Sequence, residues 1–198
     1  MYTLIVDTEK AHLRIEVEKY LSREAAIFSM LDIESLIQLS SLIKDTLRVG
    51  GRVFVAGNGG SAATADHFAV DLGVGSLLRG KNFIEAISLS ANSSILTALG
   101  NDTSFESIFS KQLDSHKPTS KDLVIVISAS GNSPNIVRLL ECAKSLGVKS
   151  FAFTGFDGGK AKEIADFCLH IPTEIGEYGI VEDLHLVVCH VVAEVIRN

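Results

Sequence analysis

One stretch constrains this chain more than any other: Leu123-Val124-Ile125-Val126-Ile127, followed at once by Ser128-Ala129-Ser130-Gly131-Asn132-Ser133-Pro134. Five large apolar residues, mostly β-branched and without polar alternation, describe a strand buried on both faces. Such a strand belongs to a parallel sheet covered by helices. The polar run that ends it puts Pro134 where the first turn of a helix accepts proline, with Ser133 as the N-cap. Strand, serine-rich turn and helix start gather hydroxyls and unpaired backbone N–H groups in one small volume, which suits a phosphate.

The 198 residues make one domain, long enough to bury roughly 70% of the unfolded surface. Net charge is −6 and the Lys and Arg residues are scattered, so no basic stripe points to nucleic acid or an anionic membrane. A phosphate must then be held by local donors. Residues Met1 to Val6 reach Asp7 with no basic lead, and no apolar run approaches a bilayer span, so a soluble cytoplasmic protein is expected. Cys142, Cys168 and Cys189 have no CxxC spacing and read as buried reduced thiols. Cys189 adjoins His190, but neighbours in sequence point apart on a helix.

Apolar residues recur at helical spacing from about Asp7 to Val49: Leu13, Val17, Tyr20 and Leu21, then Leu36, Leu39, Ile43 and Leu47. Asp7 and Asp32 are the expected N-caps, and Gly50-Gly51 ends the second helix. Two long helices before the first strand exceed what one sheet face needs, so residues 1–50 are expected to pair for oligomerisation and residues 51–198 to form the sandwich.

A first strand, Arg52 to Ala56, leads through Gly57-Asn58-Gly59-Gly60-Ser61 into a helix reaching Gly73, with Ser61 as its cap. Residues 73–82 read as a loop, Ile84 to Leu89 as a strand and Asn92 to Leu99 as a helix. The turn Gly100-Asn101-Asp102 follows, with Asp102 available to cap a helix from Ser104 to Leu113. Beyond the central strand come a helix to Leu146, a strand Val148 to Phe153 and a glycine-rich turn, Thr154 to Gly159. A short helix, a strand Phe167 to Ile171 and a last helix, Ile180 to Ile196, complete the chain. The expected fold is an α/β/α three-layer sandwich on a five-stranded parallel, flavodoxin-like sheet, with two N-terminal helices.

Among the titratable residues, His67 and Asp71 lie four apart on one helix, hence one turn apart on one face. Glu182 and His190 on the last helix are about 80° apart around its axis. Imidazoles and carboxylates from two helices suit a divalent metal, zinc above all. Each has a plainer reading: His67 as a ring bonded to a carbonyl, His190 as a buried residue among Val187, Val188, Val191 and Val192. His185, three past Glu182, reads as an alternative ligand or, more simply, as a surface residue.

The two turn motifs, Gly-Asn-Gly-Gly-Ser at residues 57–61 and Ser-Ala-Ser-Gly-Asn-Ser at residues 128–133, with His67 between them, resemble the sugar isomerase (SIS) domain family over nearly the whole chain. The resemblance is nearest to its bacterial phosphoheptose isomerases. It implies conversion of sedoheptulose 7-phosphate to an aldose heptose 7-phosphate, for lipopolysaccharide, capsule or glycoprotein synthesis, in a homotetramer whose N-terminal helices form the central bundle. It implies one zinc ion per subunit on His67, Asp71, Glu182 and His190, with Asp71 or Glu182 as base and His190 as acid. Substrate contacts would come from Asn58, Gly59, Gly60, Ser61, Asn101, Asp102, Ser128, Ala129, Ser130 and Ser133.

Three positions depart from the family pattern: Asp71 for Glu, Glu182 for Gln and Ala129 for Thr. The first shortens a ligand by one methylene, the second adds a negative charge, and the third removes a hydroxyl. The other branch the resemblance allows is a non-enzymatic scaffold like the protein that associates with the replication initiator. That branch lacks the full set of histidines and carboxylates.

Overall fold

The computed structural model describes residues 2–80 and 83–198, with side chains from residue 9 onward. Two compact units divide the chain, Met1–Leu31 and Asp32–Asn198. The first holds one helix, α1 (Tyr2–Phe28), on which Leu13, Ile15, Val17, Tyr20 and Leu21 stay exposed. Asp7, expected as its cap, lies inside the helix.

Helix α2 (Ile33–Arg48) opens the second unit. Asp32 caps it, its carboxylate accepting from the Glu34 amide at 3.1 Å and the Ser35 hydroxyl at 2.7 Å. Leu39 and Ile43 are fully buried, and α2 falls in the same compact unit as the sandwich. Five parallel strands follow: β1 (Val53–Gly57), β2 (Ala86–Ser88), β3 (Leu123–Ser128), β4 (Lys149–Thr154) and β5 (Phe167–His170), in the order β2-β1-β3-β4-β5. That is the flavodoxin-like order expected, with β3 central and wholly buried.

Between and after the strands lie α3 (Gly60–Leu72), α4 (Val74–Leu78), α5 (Ser93–Asp102), α6 (Ile108–Ser115), α7 (Pro134–Ser145), α8 (Gly159–Ile164) and α9 (Tyr178–Arg197). Phe54, Val124, Val126 and Ala152 turn one sheet face to Phe109, Leu113, Ile136, Leu140 and Ala161 of α6, α7 and α8. Alternate residues turn to the opposite layer, where the Phe68 ring of α3 meets Phe153 at a centroid distance of 6.4 Å and α9 packs beside α2 and α3.

Some boundaries differ from expectation. Part of the loop assigned to residues 73–82 is helix α4, and Lys81 and Asn82 lie outside the described residues. The turn assigned to Gly100-Asn101-Asp102 is the last turn of α5, because Leu96 and Leu99 pack on the core and a helix tolerates one interior glycine. Asp102 therefore caps nothing; Ser104 leads into a short 3-10 turn before α6. Ser61 sits inside α3, and the capping position belongs to Gly59, whose φ of +56° a side chain would strain.

Candidate functional site

The loops after β1 and β3 meet at the carboxyl edge of the sheet, where open α/β folds place their ligands. They are joined by a reciprocal amide pair: Asn58 and Asn135 exchange two hydrogen bonds of 2.9 Å. Asn135, which the sequence did not single out, is 1% exposed and follows Pro134 directly, so its side chain locks the start of α7 to the glycine turn.

Between the loops is a cavity of about 150 Å³ lined by Asn58, Ser61, Ile127, Ser128, Ala129, Ser130, Ser133, Tyr178 and Glu182. No Lys or Arg lines it. The Ser128 hydroxyl accepts from the Gly131 amide at 3.1 Å and that of Ser130 from the Asn132 amide at 3.2 Å, which leaves each O–H free to donate inward. Ser133 occupies the N-cap position of α7 without making a side-chain cap bond, so its hydroxyl is also available. The opening is smaller than the 300 Å³ or more typical of a whole-ligand site. It is the size for one anionic group with the rest of a ligand outside.

Glu182 stands over the start of α3, its carboxylate against Gly60, where a Cβ would collide with it. Gly59 is the exposed corner of this turn. Asn101 and Asp102, expected at the substrate, lie exposed on α5, bonded to each other at 2.8 Å, and line no part of this cavity. A larger open groove of about 440 Å³ between α6 and α7 contains none of the expected catalytic, substrate or metal residues.

Farther along α3 and α9 the other expected residues converge. The Nε2 atoms of His67 and His190 are 2.9 Å apart, and Asp71 Oδ2 lies 3.4 Å from the first and 4.0 Å from the second. These three ligand atoms fall within 4.8 Å of one another. Tetrahedral zinc ligands at 2.0–2.1 Å from the ion stand about 3.4 Å from each other. The three observed separations bracket that value, and three protein ligands with one open position is the catalytic zinc pattern, so the group fits. Glu182, the fourth ligand that the resemblance implies, is not among these three grouped residues. His190 is exposed, not buried among valines.

The sequence also passed over Arg197. Its guanidinium, 8% exposed, donates from Nη2 to the Asp71 carbonyl at 2.6 Å and lies 3.2 Å from Asp71 Oδ1. No spacing rule flags a basic residue in a last helical turn beyond favouring the dipole there. His185 corrects a further expectation, being fully buried with no hydrogen bond to either ring nitrogen. Burial pushes its pKa down to about 4. Burial, reinforced by the Asp71 charge, raises the Cys189 thiol well above its usual range, so Cys189 is no nucleophile.

Residues 19–155 match the family described as SIS domain. The chain is 39% identical over 168 residues to a phosphoheptose isomerase of Akkermansia muciniphila, covering 84% of this chain and 85% of that protein. It is 36% identical over 183 residues to a probable phosphoheptose isomerase of Thermoplasma acidophilum, covering 92% and 98%. Among solved structures, phosphoheptose isomerase GmhA from Neisseria gonorrhoeae superposes with a TM-score of 0.84 at 29% identity, covering 93% of this chain and 98% of that one.

The chain belongs to the SIS-domain family. Within it, the chain groups with the phosphoheptose isomerases and is itself an isomerase.

Proposed function

We propose that the chain interconverts the ketose sedoheptulose 7-phosphate and an aldose heptose 7-phosphate, with the phosphate in the serine-lined cavity and the reacting carbons at the histidine–carboxylate cluster. The observation that carries this reading is the convergence of His67, Asp71 and His190 on the same two helices that border the cavity through Ser61 and Glu182. Ser61 and His67 are six residues apart on α3, about 9 Å along its axis. That is the order of length of a sugar chain with its phosphate at one end.

Isomerisation takes a proton from the carbon beside the carbonyl and returns one to the former carbonyl carbon through an enediol. Glu182 takes the first proton and His190 delivers the second. Ser128, Ser130 and Ser133 hold the phosphate by O–H donation. His67, Asp71 and His190 would hold one zinc ion per subunit, which supplies Lewis-acid polarisation of the sugar oxygens when bound.

A homotetramer belongs to the same proposal. It is supported by the apolar residues exposed on α1 and by Val70, Leu77, Val191 and Val195, which are exposed on α3, α4 and α9. So does a cytoplasmic location. Among the described residues no single helix is long and apolar enough to cross a membrane. Supply of heptose to lipopolysaccharide or capsule completes the reading.

A coupled assay across seven-, six- and five-carbon ketose phosphates, with and without added zinc, tests it. Turnover of the seven-carbon substrate at the highest kcat/KM is expected. Preference for a shorter sugar would reassign the substrate, and no turnover of any would return the chain to the scaffold reading.

A further inference from the structure

Arg197 ends α9, where a long basic side chain ordinarily carries its charge out to water. Here it turns inward. Its Nη2 engages Asp71 twice, through the backbone carbonyl at 2.6 Å and Oδ1 at 3.2 Å. Nη1 lies 3.7 Å from Glu194 Oε2, and Glu194 also pairs with Arg79. Room for the guanidinium is made by Gly75 of α4, where a Cβ would stand 2.6 Å from Nη2. Two helices and a glycine thus converge on one carboxylate.

An aspartate with both oxygens free turns about its terminal bond and meets an ion by either oxygen or by both. A guanidinium fixed at once to the residue's carbonyl and to Oδ1 removes that freedom. The oxygen left over, Oδ2, is the one 3.4 Å from His67 Nε2 and 4.0 Å from His190 Nε2. We propose that Arg197 is a positioning residue for the cluster: it anchors Asp71 through the carbonyl and Oδ1 so that Oδ2 alone is presented, as a one-oxygen ligand, beside the two imidazoles. This inference rests on reading His67, Asp71 and His190 as a metal centre.

The test is an equilibrium zinc titration of the full, metal-stripped chain against a chromophoric chelator, with melting curves taken on the same samples. Arg197→Gln and Gly75→Ala, which displaces the guanidinium while leaving Arg197 in the chain, should each weaken zinc affinity about 10- to 100-fold, the usual cost of losing a partner behind a metal ligand. Neither should weaken it further in an Asp71→Asn background, because the effect runs through that carboxylate. Unchanged affinity in Gly75→Ala overturns the proposal even where Arg197→Gln fails to fold. An equal loss with and without Asp71 also overturns it, by making the role merely structural. A wild-type chain that binds no zinc is a separate result, which removes the metal reading and this inference with it.

Discussion

The serine-lined cavity and the histidine–carboxylate cluster border the same two helices, yet they are built in opposite ways. The cavity is made by two loops that fix themselves: the Ser128 and Ser130 hydroxyls are held by amides two or three residues on, and one asparagine pair ties the loops together. The cluster is made only of side chains, with His67 and His190 exposed and 123 positions apart in the chain. Local sequence sets the geometry of the first; the rotation and spacing of α3 against α9 sets that of the second. A self-supporting loop grips a ligand without reorganising, whereas a cluster of exposed side chains needs partners such as Arg197 to hold it.

If that contrast is right, substitutions in the two regions must fail differently. The largest expected effect is that of His190→Ala, which should lower kcat on the seven-carbon ketose phosphate about 10²- to 10⁴-fold, the range for losing a general acid, with the melting temperature nearly unchanged. An exposed ring contributes little burial, so the fold has little to lose. Loss of activity in step with loss of fold would instead make the cluster a structural feature.

The same contrast governs what the sequence disclosed. A run of five β-branched or leucine residues ending in hydroxyls carries its own meaning, so β3, its turn and the start of α7 were legible, as was the strand order that follows from alternating strands and helices. His67 and Asp71 were legible as a pair one turn apart. Glu182 was not placeable, because an offset of about 80° on α9 leaves open whether a side chain follows His190 or turns to the glycine loop. The structure turns it to Gly60. Arg197 and Asn135 escaped because each acts through a residue more than 70 positions away, and His185 because a histidine with no polar partner looks, in sequence, like any surface histidine.

His185 lies on α9 between the two regions and gives the next largest effect. Its folded pKa of about 4 lies below the unfolded value near 6.5, so the unfolded chain takes up a proton that the native chain refuses. The stability this group permits is therefore complete above about pH 6.5 and is lost as pH falls toward 4. The total is about 3 kcal/mol at 1.36 kcal/mol per pKa unit. Chemical denaturation of wild type and His185→Leu at pH 7 and pH 4.5 should show the variant losing less on acidification. Equal losses would mean that the ring finds a partner when protonated.

On the cavity side, Ser130→Ala removes one O–H donor to a charged group, worth about 1.5–3 kcal/mol, or roughly 10- to 100-fold in kcat/KM. The change should fall mainly on KM, the reverse of the His190→Ala pattern, because the phosphate is gripped alike before and during reaction. A fall confined to kcat would break the division of labour between the two regions.

The smallest effect sets the baseline for both. Asp32 caps α2 with two hydrogen bonds and is among the residues of neither the cavity nor the cluster. Asp32→Ala should cost about 1 kcal/mol of unfolding free energy, the usual value of an N-cap, with kcat and KM unchanged. Because α2 packs directly on α9, a kinetic change in this variant would show that the helix carrying His190 is held in place by α2 as well as by the sheet. The exposed cluster would then depend on the whole layer in a way the self-supporting serine loop does not.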